Sequence, residues 1–500
     1  MMLLACALAA TSFAAKPITR PWPQAFPAKD LCSNCGLCKS STGVTSVMDA
    51  CAFIGDGMSR AESLEESIHG RVREYDADNL SEAHFGVHSN IVLARGRGVP
   101  GAQWTGVTTA VACEWLRCGA VDAVVVAGSS TEGAAGFGAP KPVLARSVDE
   151  VLQGRRVKPS LCPSLEILDE VRDDPSIKRL LFCGVGCSVQ ALRAMADGQP
   201  EAALGLEEGG LFVLGTHCVD NSPTPQAAQN FVSAIPGVGA ARANDVLAYE
   251  FMADFRVHAR LKSQAGGAEE EEDVVKQAYM TLPPSVGVPS IAPSCFSCFD
   301  YTNGLADLVV GYMGAPFDAD GDEMTSAPLM VTVRNARGRA MLDEAVRAGS
   351  VEVLQDGGHG GKTLPSTGDR EAITMKTVAA DSMVKSLLDP EFVAGDQGAP
   401  PLIANLLAGL IRKGLPTGLE FGRFSIDYHY LRNQLFCADR MGDAGASRHI
   451  PTYAKAIMAR YDDQMLELKR PSETSAAGGP VGDGLAKAVT WLQERFGGRE

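Results

Sequence analysis

The chain has 500 residues, of which 45% are hydrophobic, and this length predicts two to four packed units. Its formal net charge of −15 argues against general binding of nucleic acids, because such proteins need a basic surface to displace counterions from phosphates. The 14 cysteines occur at short spacings in a chain too large to need disulfide staples. Ligation of metal centres is therefore the better interpretation of the cysteines.

The N-terminus, MMLLACALAATSFAAKP, is an apolar run followed by small residues. The run is too short to span a bilayer and lacks a basic start, yet it has the character of a targeting signal. We interpret residues 1–22 as a targeting peptide and exclude them from the fold. A secreted, disulfide-bonded protein is the alternative that this segment leaves open.

The next segments predict alternating helices and strands. The polar stretch 55–84 predicts loop and short helix. GVTTAVACEWLRC (106–118) has helical apolar spacing and leads into CGAVDAVVVAGSS (118–130), which predicts a buried strand. Strand, glycine turn and helix recur at 178–195, and GGLFVLGTHCVDN (209–221) continues the pattern. This series indicates an α/β core with a parallel or mixed sheet.

Four later stretches are predicted to lie outside that core. Residues 265–275 are acidic and residues 356–371 are rich in glycine, so both predict surface insertions. Residues 471–484 predict a flexible linker, and LAKAVTWLQERF (485–496) predicts a short amphipathic helix.

The motif CSNCGLC carries three cysteines at the spacing of an iron–sulfur cluster loop, Cys32, Cys35 and Cys38. A loop lets three thiolates converge on one cluster. Cys51 follows after twelve residues and is our candidate for the fourth ligand. Four cysteines can also hold zinc tetrahedrally, so zinc is the alternative, although consecutive two-residue gaps favour a cluster.

A second set of four cysteines is predicted from two regions of the chain. Cys295 and Cys298 are two residues apart in PSCFSCFDYTN, and Cys187 and Cys218 follow predicted strands in GVGC and GTHC. The glycines before Cys187 and Cys218 leave backbone amides available to hydrogen-bond cluster sulfurs. The remaining cysteines are interpreted as small core residues: Cys6, Cys113, Cys118, Cys162, Cys183 and Cys437.

Two clusters deliver electrons singly, so reduction of an organic bond requires a cofactor that stores two electrons, which a flavin does. No GxGxxG fingerprint occurs in the right context for a nicotinamide-binding unit. GAQWTGVTT (101–109) is a glycine-bounded turn that opens a helix, where amides suit a phosphate. The same pattern is also found at ordinary helix starts, so the turn alone leaves both interpretations open.

The motifs together resemble a known family. The resemblance covers roughly residues 28–465 and is carried by CSNCGLC, GAQWTGVTT, KPVLARS, LLFCGVGCSVQALR, GTHCVDN, APSCFSCFDYTNGLADLVVGYMG and GLEFGRFSIDYH. The chain resembles the ferredoxin-dependent chlorophyll-metabolism branch of the deazaflavin-coenzyme hydrogenase beta-subunit family. Members of that branch carry FAD and two 4Fe-4S clusters, take electrons from reduced ferredoxin and reduce chlorophyll-type pigments.

The resemblance implies a role for each predicted site residue. It implies one cluster on Cys32, Cys35, Cys38 and Cys51 and another on Cys187, Cys218, Cys295 and Cys298. It also implies that five residues contact the flavin or its phosphates: Gln103, Thr105, Gly106, Thr109 and Lys158. No catalytic acid is assigned, and the candidates for a proton donor are His88, Asp220, Asp300 and His429. Trp104 and Tyr301 are candidates for the wall of a pigment cleft.

The implied fold is α/β, a mixed-sheet core of the hydrogenase beta-subunit type with an N-terminal iron–sulfur segment and a helical C-terminal region. The implied units after the targeting peptide are an iron–sulfur segment (23–92), a flavin domain (93–175), a domain with the second cluster (176–345), a C-terminal region (346–465) and a tail (466–500).

The branch contains two activities: reduction of 7-hydroxymethyl chlorophyll a to chlorophyll a, and reduction of the 8-vinyl group of divinyl chlorophyllide. ACAFIGDGMSR (50–60), SIHGRVR (67–73) and HIPTYAKAI (449–457) are closer to the hydroxymethyl reductases, which makes the first activity our expectation. The vinyl reductase and an iron–sulfur electron-transfer subunit without its own substrate are the alternatives. The stretch ATSFAAKP resembles plastid-targeting cleavage sites and implies a location in the plastid stroma. The sequence leaves the formation of a homo-oligomer open.

Overall fold

The computed structural model describes residues 28–129, 139–263, 272–317, 323–357, 367–389 and 391–469. Residues 1–22, the linker 471–484 and the predicted helix 485–496 lie outside the described residues. Within the ranges that are described, no helix is long and apolar enough to cross a membrane.

The strands form two sheets. In chain order they are β1 (Asn90–Gly96), β2 (Ala123–Ser129), β3 (Pro140–Ala145), β4 (Leu180–Gly184), β5 (Leu211–Thr216), β6 (Val246–Met252), β7 (Arg256–Lys262), β8 (Glu272–Ala278), β9 (Leu308–Gly311), β10 (Leu329–Val333) and β11 (Val351–Asp356). The larger sheet has the order β11-β1-β10-β9-β5-β4-β2-β3, and β6, β7 and β8 form a separate antiparallel sheet. Strands β2, β4, β5 and β9 run parallel, so their carboxyl ends share one edge. The predicted mixed-sheet α/β fold is confirmed.

The α-helices lie in the N-terminal segment before β1, between the strands and in the C-terminal third. Their ranges are Val47–Ala50, Ala61–His69, Ser81–Phe85, Val107–Arg117, Val148–Leu152, Leu168–Asp173, Gly186–Gly198 (interrupted at 195–197), Pro200–Leu204, Pro225–Ser233, Gly239–Arg242, Pro284–Gly287, Ala336–Arg347, Thr367–Ala380, Ser382–Leu388, Pro401–Gly414, Leu419–His449 (interrupted at Gly442), Thr452–Met458 and Asp462–Leu468.

Alternation along the central strands builds a core on both faces of the large sheet. In β2, Val124 and Val126 enter one hydrophobic cluster, whereas Ala123 and Val125 enter the cluster on the opposite face. This follows from the two-residue repeat of a strand. The helix Val107–Arg117 covers the first face and the helix Gly186–Gly198 covers the second. Both faces of the sheet are therefore buried, as parallel strands require.

The C-terminal helices are tied to the N-terminal segment by a buried carboxylate. Asp427, in the helix Leu419–His449, accepts hydrogen bonds from His84 Nε2 (2.7 Å), Arg370 Nε (3.2 Å) and the Tyr461 hydroxyl (2.6 Å). All four side chains are almost completely buried. The predicted helical C-terminal region therefore packs against the segment that carries the first cysteines.

The two predicted surface insertions are partly elements of the fold. Residues 272–275 belong to β8, whose residues pair with β7, so the acidic stretch ends inside a sheet. Asp356 closes β11, and the helix Thr367–Ala380 begins before residue 371. Residues 265–271 and 358–366 of these stretches lie outside the described residues.

Candidate metal and cofactor site

The loop that carries the first three cysteines is held by its neighbours in a fixed conformation. Gly36 has φ +95°, and a Cβ there would come within 2.7 Å of the Glu166 backbone nitrogen, so the loop requires glycine. The Leu165 N–H donates to the Cys35 carbonyl at 2.8 Å. Asp169 accepts hydrogen bonds from the residues that follow the loop, including both N–H groups of Ser41 and Thr42.

The structure brings the four N-terminal cysteines to one pocket. Cys32, Cys35, Cys38 and Cys51 all line it. Burial raises the pKa of Cys51 to about 11, and the neighbouring thiols of Cys38 and Cys32 contribute to this rise. Thiols that raise each other's pKa in this way ionise together most readily when a cation compensates their charge.

The second set of cysteines gathers at the carboxyl edge of the parallel strands. Cys187 follows β4, Cys218 follows the adjacent strand β5, and Cys295 and Cys298 lie on a neighbouring turn. The side-chain amide of Asn433 fixes that turn, since it donates to the carbonyls of Cys295 (3.1 Å) and Cys298 (2.7 Å). Burial raises the pKa of the Cys218 thiol, and the thiols of Cys295 and Cys187 raise it further.

Several sulfurs in both sets already accept hydrogen bonds. The Asn34 amide donates to Cys32 Sγ at 3.3 Å, and Asn221 Nδ2 donates to Cys218 Sγ at 3.2 Å. Such donors stabilise thiolates and tune the potential of a metal cluster. In the described part of the chain, no group of three or more His, Cys, Asp or Glu side chains is arranged to hold a single metal ion.

The two cysteine sets are close neighbours. The Ser33 side chain, from the first loop, hydrogen-bonds to the Cys187 thiol. Cys51, Cys187 and Cys298 pack against the same small apolar cluster of Ala52, Phe53 and Met58. The side chains of Ala52, Phe53 and Met58 therefore lie between the first pocket and the second cysteine set.

The turn at 101–109 has the predicted conformation, but two of its side chains serve the protein itself. Gly106 has φ +75° directly before the helix Val107–Arg117, and a Cβ there would meet Ala102 Cβ at 2.9 Å. Thr105 Oγ1 accepts from the Gly96 N–H at 3.1 Å. Gln103 Oε1 accepts from the Val157 N–H at 2.9 Å. These bonds shape the turn, and Thr109 lies half-buried on the helix that follows.

Lys158 belongs to a group of cations beside this turn. Its ammonium donates to the carbonyls of Arg155 (2.7 Å) and Arg156 (3.1 Å), and burial together with Arg156 lowers its pKa to about 8. Arg260 Nη1 donates to the Ala102 carbonyl at 3.0 Å. Glu272 pairs with both Arg156 and Arg260. Two of these cations share the Glu272 carboxylate, and Lys158 and Arg155 add positive charge next to the turn, which suits a phosphate ligand.

The carboxyl edge of the parallel strands carries polar atoms that need a partner. The Ser129 hydroxyl, at the end of β2, and both ring nitrogens of His217, directly after β5, are buried without a hydrogen-bond partner among the described residues. Strands of one sheet lie about 4.8 Å apart, so β2, β4, β5 and β9 present an edge roughly 15 Å wide. This is where open α/β sheets bind ligands, and a polar ring system would satisfy such atoms.

Sequence reasoning missed His217 and Glu250. The position of His217 directly after a predicted strand was the available signal. Glu250, on β6, has its carboxylate at 3.3 Å from Gln103 Nε2, and no local pattern indicates that contact.

The four candidate proton donors are all hydrogen-bonded within the protein. The Asp220 carboxylate accepts hydrogen bonds from both Arg432 Nη1 and Arg432 Nη2, each at 2.8 Å. Asp300 accepts from Gln190 Nε2 at 2.7 Å. His88 Nδ1 lies 2.8 Å from the Gly86 carbonyl, and His429 Nδ1 lies 2.6 Å from the Ser425 carbonyl.

The two candidate cleft residues are both buried. Tyr301 is 1% exposed, and its hydroxyl accepts from Asn433 Nδ2 at 2.8 Å. Trp104 is 8% exposed and stacks on Tyr312. Both aromatic rings therefore contribute to packing in this structure.

The prediction that the remaining cysteines are core residues holds only in part. Cys113 and Cys437 are buried, and Cys183 packs against the main hydrophobic cluster. Cys118 is exposed, because it follows the last turn of the helix Val107–Arg117, so the prediction was wrong there. Cys162 is half-buried close to Lys158, and Cys6 lies outside the described residues.

Comparison with known sequences gives the family. Residues 92–169 match the N-terminal model, and residues 177–356 the C-terminal model, of the coenzyme F420 hydrogenase/dehydrogenase beta subunit. The chain belongs to the coenzyme F420 hydrogenase/dehydrogenase beta-subunit family.

Three relatives refine this assignment. The chain is 45% identical to 7-hydroxymethyl chlorophyll a reductase, chloroplastic, from Oryza sativa subsp. japonica, over 87% of this chain and 84% of that protein. It is 38% identical to an uncharacterised protein from Nostoc sp., over 87% of this chain and 94% of that protein. It is 25% identical to the coenzyme F420 hydrogenase subunit beta of Methanosarcina barkeri, over 47% of this chain and 75% of that protein.

Proposed function

We propose that this chain is a ferredoxin-dependent iron–sulfur flavoprotein that reduces 7-hydroxymethyl chlorophyll a to chlorophyll a. The observation that carries the proposal is the 45% identity to a protein named for that reaction, which extends over most of both chains. The name of that relative also supports a location in the plastid for this chain. No observation favours the vinyl reductase over this activity.

The residues present fit two 4Fe-4S clusters. Cys32, Cys35, Cys38 and Cys51 would hold one cluster, since all four line one pocket. Cys187, Cys218, Cys295 and Cys298 would hold the other, since these buried thiols act on one another's ionisation. Amide and hydroxyl donors to the sulfurs support thiolate ligands in both sets. The clusters would supply one-electron transfer from reduced ferredoxin.

The residues present also fit FAD. The cations of Lys158, Arg155, Arg156 and Arg260 would hold its phosphates beside the turn at 101–109, and the Gly106 turn would let its backbone approach them. Ser129 and His217 would satisfy polar atoms of its ring system. When bound, the flavin supplies the two-electron store that joins one-electron donors to an organic substrate.

The reaction sets the tasks for the protein's own residues. The hydroxymethyl group becomes a methyl group and water, which consumes two electrons and two protons. One proton must reach the hydroxyl oxygen so that it leaves as water, because hydroxide is a poor leaving group. The protein must therefore orient the pigment, limit access of bulk water and place an acid at that oxygen.

An anaerobic assay with reduced ferredoxin and both pigments side by side tests this proposal. We expect chlorophyll a from 7-hydroxymethyl chlorophyll a and no change in divinyl chlorophyllide. Reduction of the vinyl group alone would overturn the proposed activity and favour the vinyl reductase. If ferredoxin reduces the protein but neither pigment reoxidises it, the chain is an electron-transfer subunit. Iron and acid-labile sulfide in the same sample, rather than zinc, are required by the proposal.

A further inference from the structure

A buried ion pair lies beside the second cysteine set. Arg432 donates from Nη1 and Nη2 to the two carboxylate oxygens of Asp220, each at 2.8 Å, and Arg432 is 2% exposed. His429 Nε2 lies farther from the same carboxylate, at 3.6 Å. A bidentate contact between guanidinium and carboxylate fixes the positions of both groups and keeps both ionised. The pair therefore places one positive and one negative charge in a region that is largely shielded from water.

The carboxylate end of the pair is close to Cys218. Asp220 follows Cys218 by two residues, and Asn221, next in the chain, donates from Nδ2 to Cys218 Sγ at 3.2 Å. The Asn221 carbonyl accepts the N–H of Ala292, whose own carbonyl accepts the N–H of Cys295, each at 2.8 Å. The loop that carries Asp220 is therefore bonded both to a sulfur of the set and to the turn that carries two more.

The guanidinium end of the pair faces the turn of Cys295 and Cys298. Phe296 lies between these two cysteines in the chain, and the centroid of its ring is 4.7 Å from the guanidinium carbon of Arg432. The adjacent Asn433 donates to both cysteine carbonyls, and its Oδ1 accepts from Arg432 Nε at 3.1 Å. Two neighbouring helix residues therefore supply both the bonds that fix this turn and a charge beside it.

This helix lies outside the part of the chain that matches the family models. Arg432 and Asn433 belong to the helix Leu419–His449, whereas the match to the C-terminal model ends at residue 356. The four cysteines of the second set all lie between residues 177 and 356, inside that match. The C-terminal region thus adds a charged group to a site whose predicted ligands come from the matched region.

We infer that Arg432 is a positioning residue that raises the reduction potential of the second cluster by neutralising Asp220, an inference that rests on the cluster placement in the proposed function. One electron from reduced ferredoxin adds a negative charge to a cluster that four thiolates already make anionic, so an uncompensated carboxylate nearby opposes reduction. Such charges interact more strongly in a protein interior than in water, because the effective dielectric constant is lower. Arg432 removes this opposition while Asp220 stays ionised.

The test compares Arg432→Gln with Asp220→Asn. A redox titration followed by electron paramagnetic resonance measures the potential of the cluster whose signal is lost in Cys218→Ser. In Arg432→Gln the equilibrium constant for its one-electron reduction should fall at least about tenfold, equivalent to about 59 mV, because the carboxylate loses its partner. In Asp220→Asn the constant should rise, because the guanidinium is then uncompensated. The double variant should lie between the two single variants.

The same helix offers a matched control. Arg440 is exposed, lies 5.5 Å from the ring centroid of Phe436 and pairs with Asp439 at 3.3 Å. Arg440→Gln and Asp439→Asn remove the same two types of charge from an exposed pair, so both should keep the wild-type potential. Arg432→Lys keeps the positive charge and should shift the potential less than Arg432→Gln does.

Shifts of opposite sign separate charge compensation from a merely structural role, since lost packing gives no reason for the two variants to differ in direction. Equal potentials, or shifts in the same direction, would overturn the inference. If Arg432→Gln does not load iron, Asp220→Asn decides alone: a raised potential supports the inference and an unchanged one refutes it. These potentials are read without pigment, so they stand apart from the assay of the proposed activity. A wild type that lacks the second cluster would overturn the proposed function as well.

Discussion

The hydroxyl of Ser33 hydrogen-bonds to the thiol of Cys187, and this contact links the N-terminal cysteine loop to the second cysteine set. Ser33 directly follows Cys32, so the two predicted cluster sites meet through adjacent residues rather than through an intervening domain. Such proximity favours rapid electron transfer between two clusters, because the transfer rate falls steeply with distance. Because the Ser33 hydroxyl bonds a ligand of the second set, a substitution of Ser33 should perturb the second cluster and not the first.

We predict that Ser33→Ala lowers the reduction potential of the cluster at Cys187. A hydrogen bond to a ligand sulfur stabilises the more negative, reduced cluster. Loss of a bond worth about 1 kcal/mol corresponds to roughly 40 mV for one electron. A redox titration followed by electron paramagnetic resonance measures the shift. Ser63→Ala, on an exposed helix where the hydroxyl bonds only the Arg60 carbonyl, is the matched control. Equal potentials in all three proteins would contradict the prediction.

We predict that Cys51→Ser and Cys218→Ser each remove one cluster and leave the other. Wild type should contain about eight irons per chain and each variant about four, since each substitution breaks a different set of ligands. Iron, acid-labile sulfide and low-temperature spectra of anaerobically purified protein provide the measurement. Cys118→Ser, at an exposed cysteine, should keep the full iron content. Full iron content in Cys51→Ser would show that the fourth ligand of the first site lies elsewhere.

We predict that Asp427→Ala destabilises the protein without touching either cluster site. Asp427 is the common acceptor for three buried side chains, those of His84, Arg370 and Tyr461, so its removal leaves buried donors without an acceptor, while Arg370 keeps its ion pair with Glu420. The expected loss in the free energy of unfolding is about 1 to 3 kcal/mol for each buried donor left without an acceptor. A lower urea midpoint with unchanged iron content per folded protein is the expected result. Asp463→Asn, on an exposed position of the last described helix, should leave the midpoint in place.

We predict that the affinity for FAD depends on the charge of Lys158. Burial and Arg156 lower the pKa of Lys158 to about 8. The side chain is therefore fully charged well below pH 8 and loses its charge as the pH rises through that value. The dissociation constant of FAD from flavin-free protein should therefore rise between pH 7 and pH 9, by roughly tenfold if the lost charge is worth about 1.4 kcal/mol. Lys158→Gln should bind more weakly at pH 7 and lack this pH step. The remote control Lys455→Gln should keep the rise of the dissociation constant between pH 7 and pH 9. A rise of the same size in Lys158→Gln would contradict a role for Lys158 in FAD binding.

Local patterns in the sequence predict the elements that depend on neighbours along the chain. The apolar run before Ser129 and the strand–glycine–helix unit around Cys187 were both predictable, because strand alternation and turn glycines are local properties. The grouping of Cys51 with the first loop followed from spacing. These are the parts of the fold and the site that sequence reasoning reaches.

Contacts between distant segments were not predictable in the same way. The separate sheet of β6, β7 and β8 places Glu250 beside Gln103, which is 147 residues earlier in the chain. The side chain of Gln103 was expected to face a cofactor, yet it bonds Val157 and Tyr249 of the protein. A motif gives the position of a side chain in the sequence, but its hydrogen-bond partner depends on tertiary packing.

The most direct test of the account is a single turnover without any external electron source. The protein is reduced anaerobically, freed of reductant and mixed with 7-hydroxymethyl chlorophyll a, while pigment and cofactor absorbance are followed together. We predict that chlorophyll a forms in proportion to the protein and at the rate at which the cofactors are reoxidised. Unchanged pigment beside fully reduced cofactors would contradict the account.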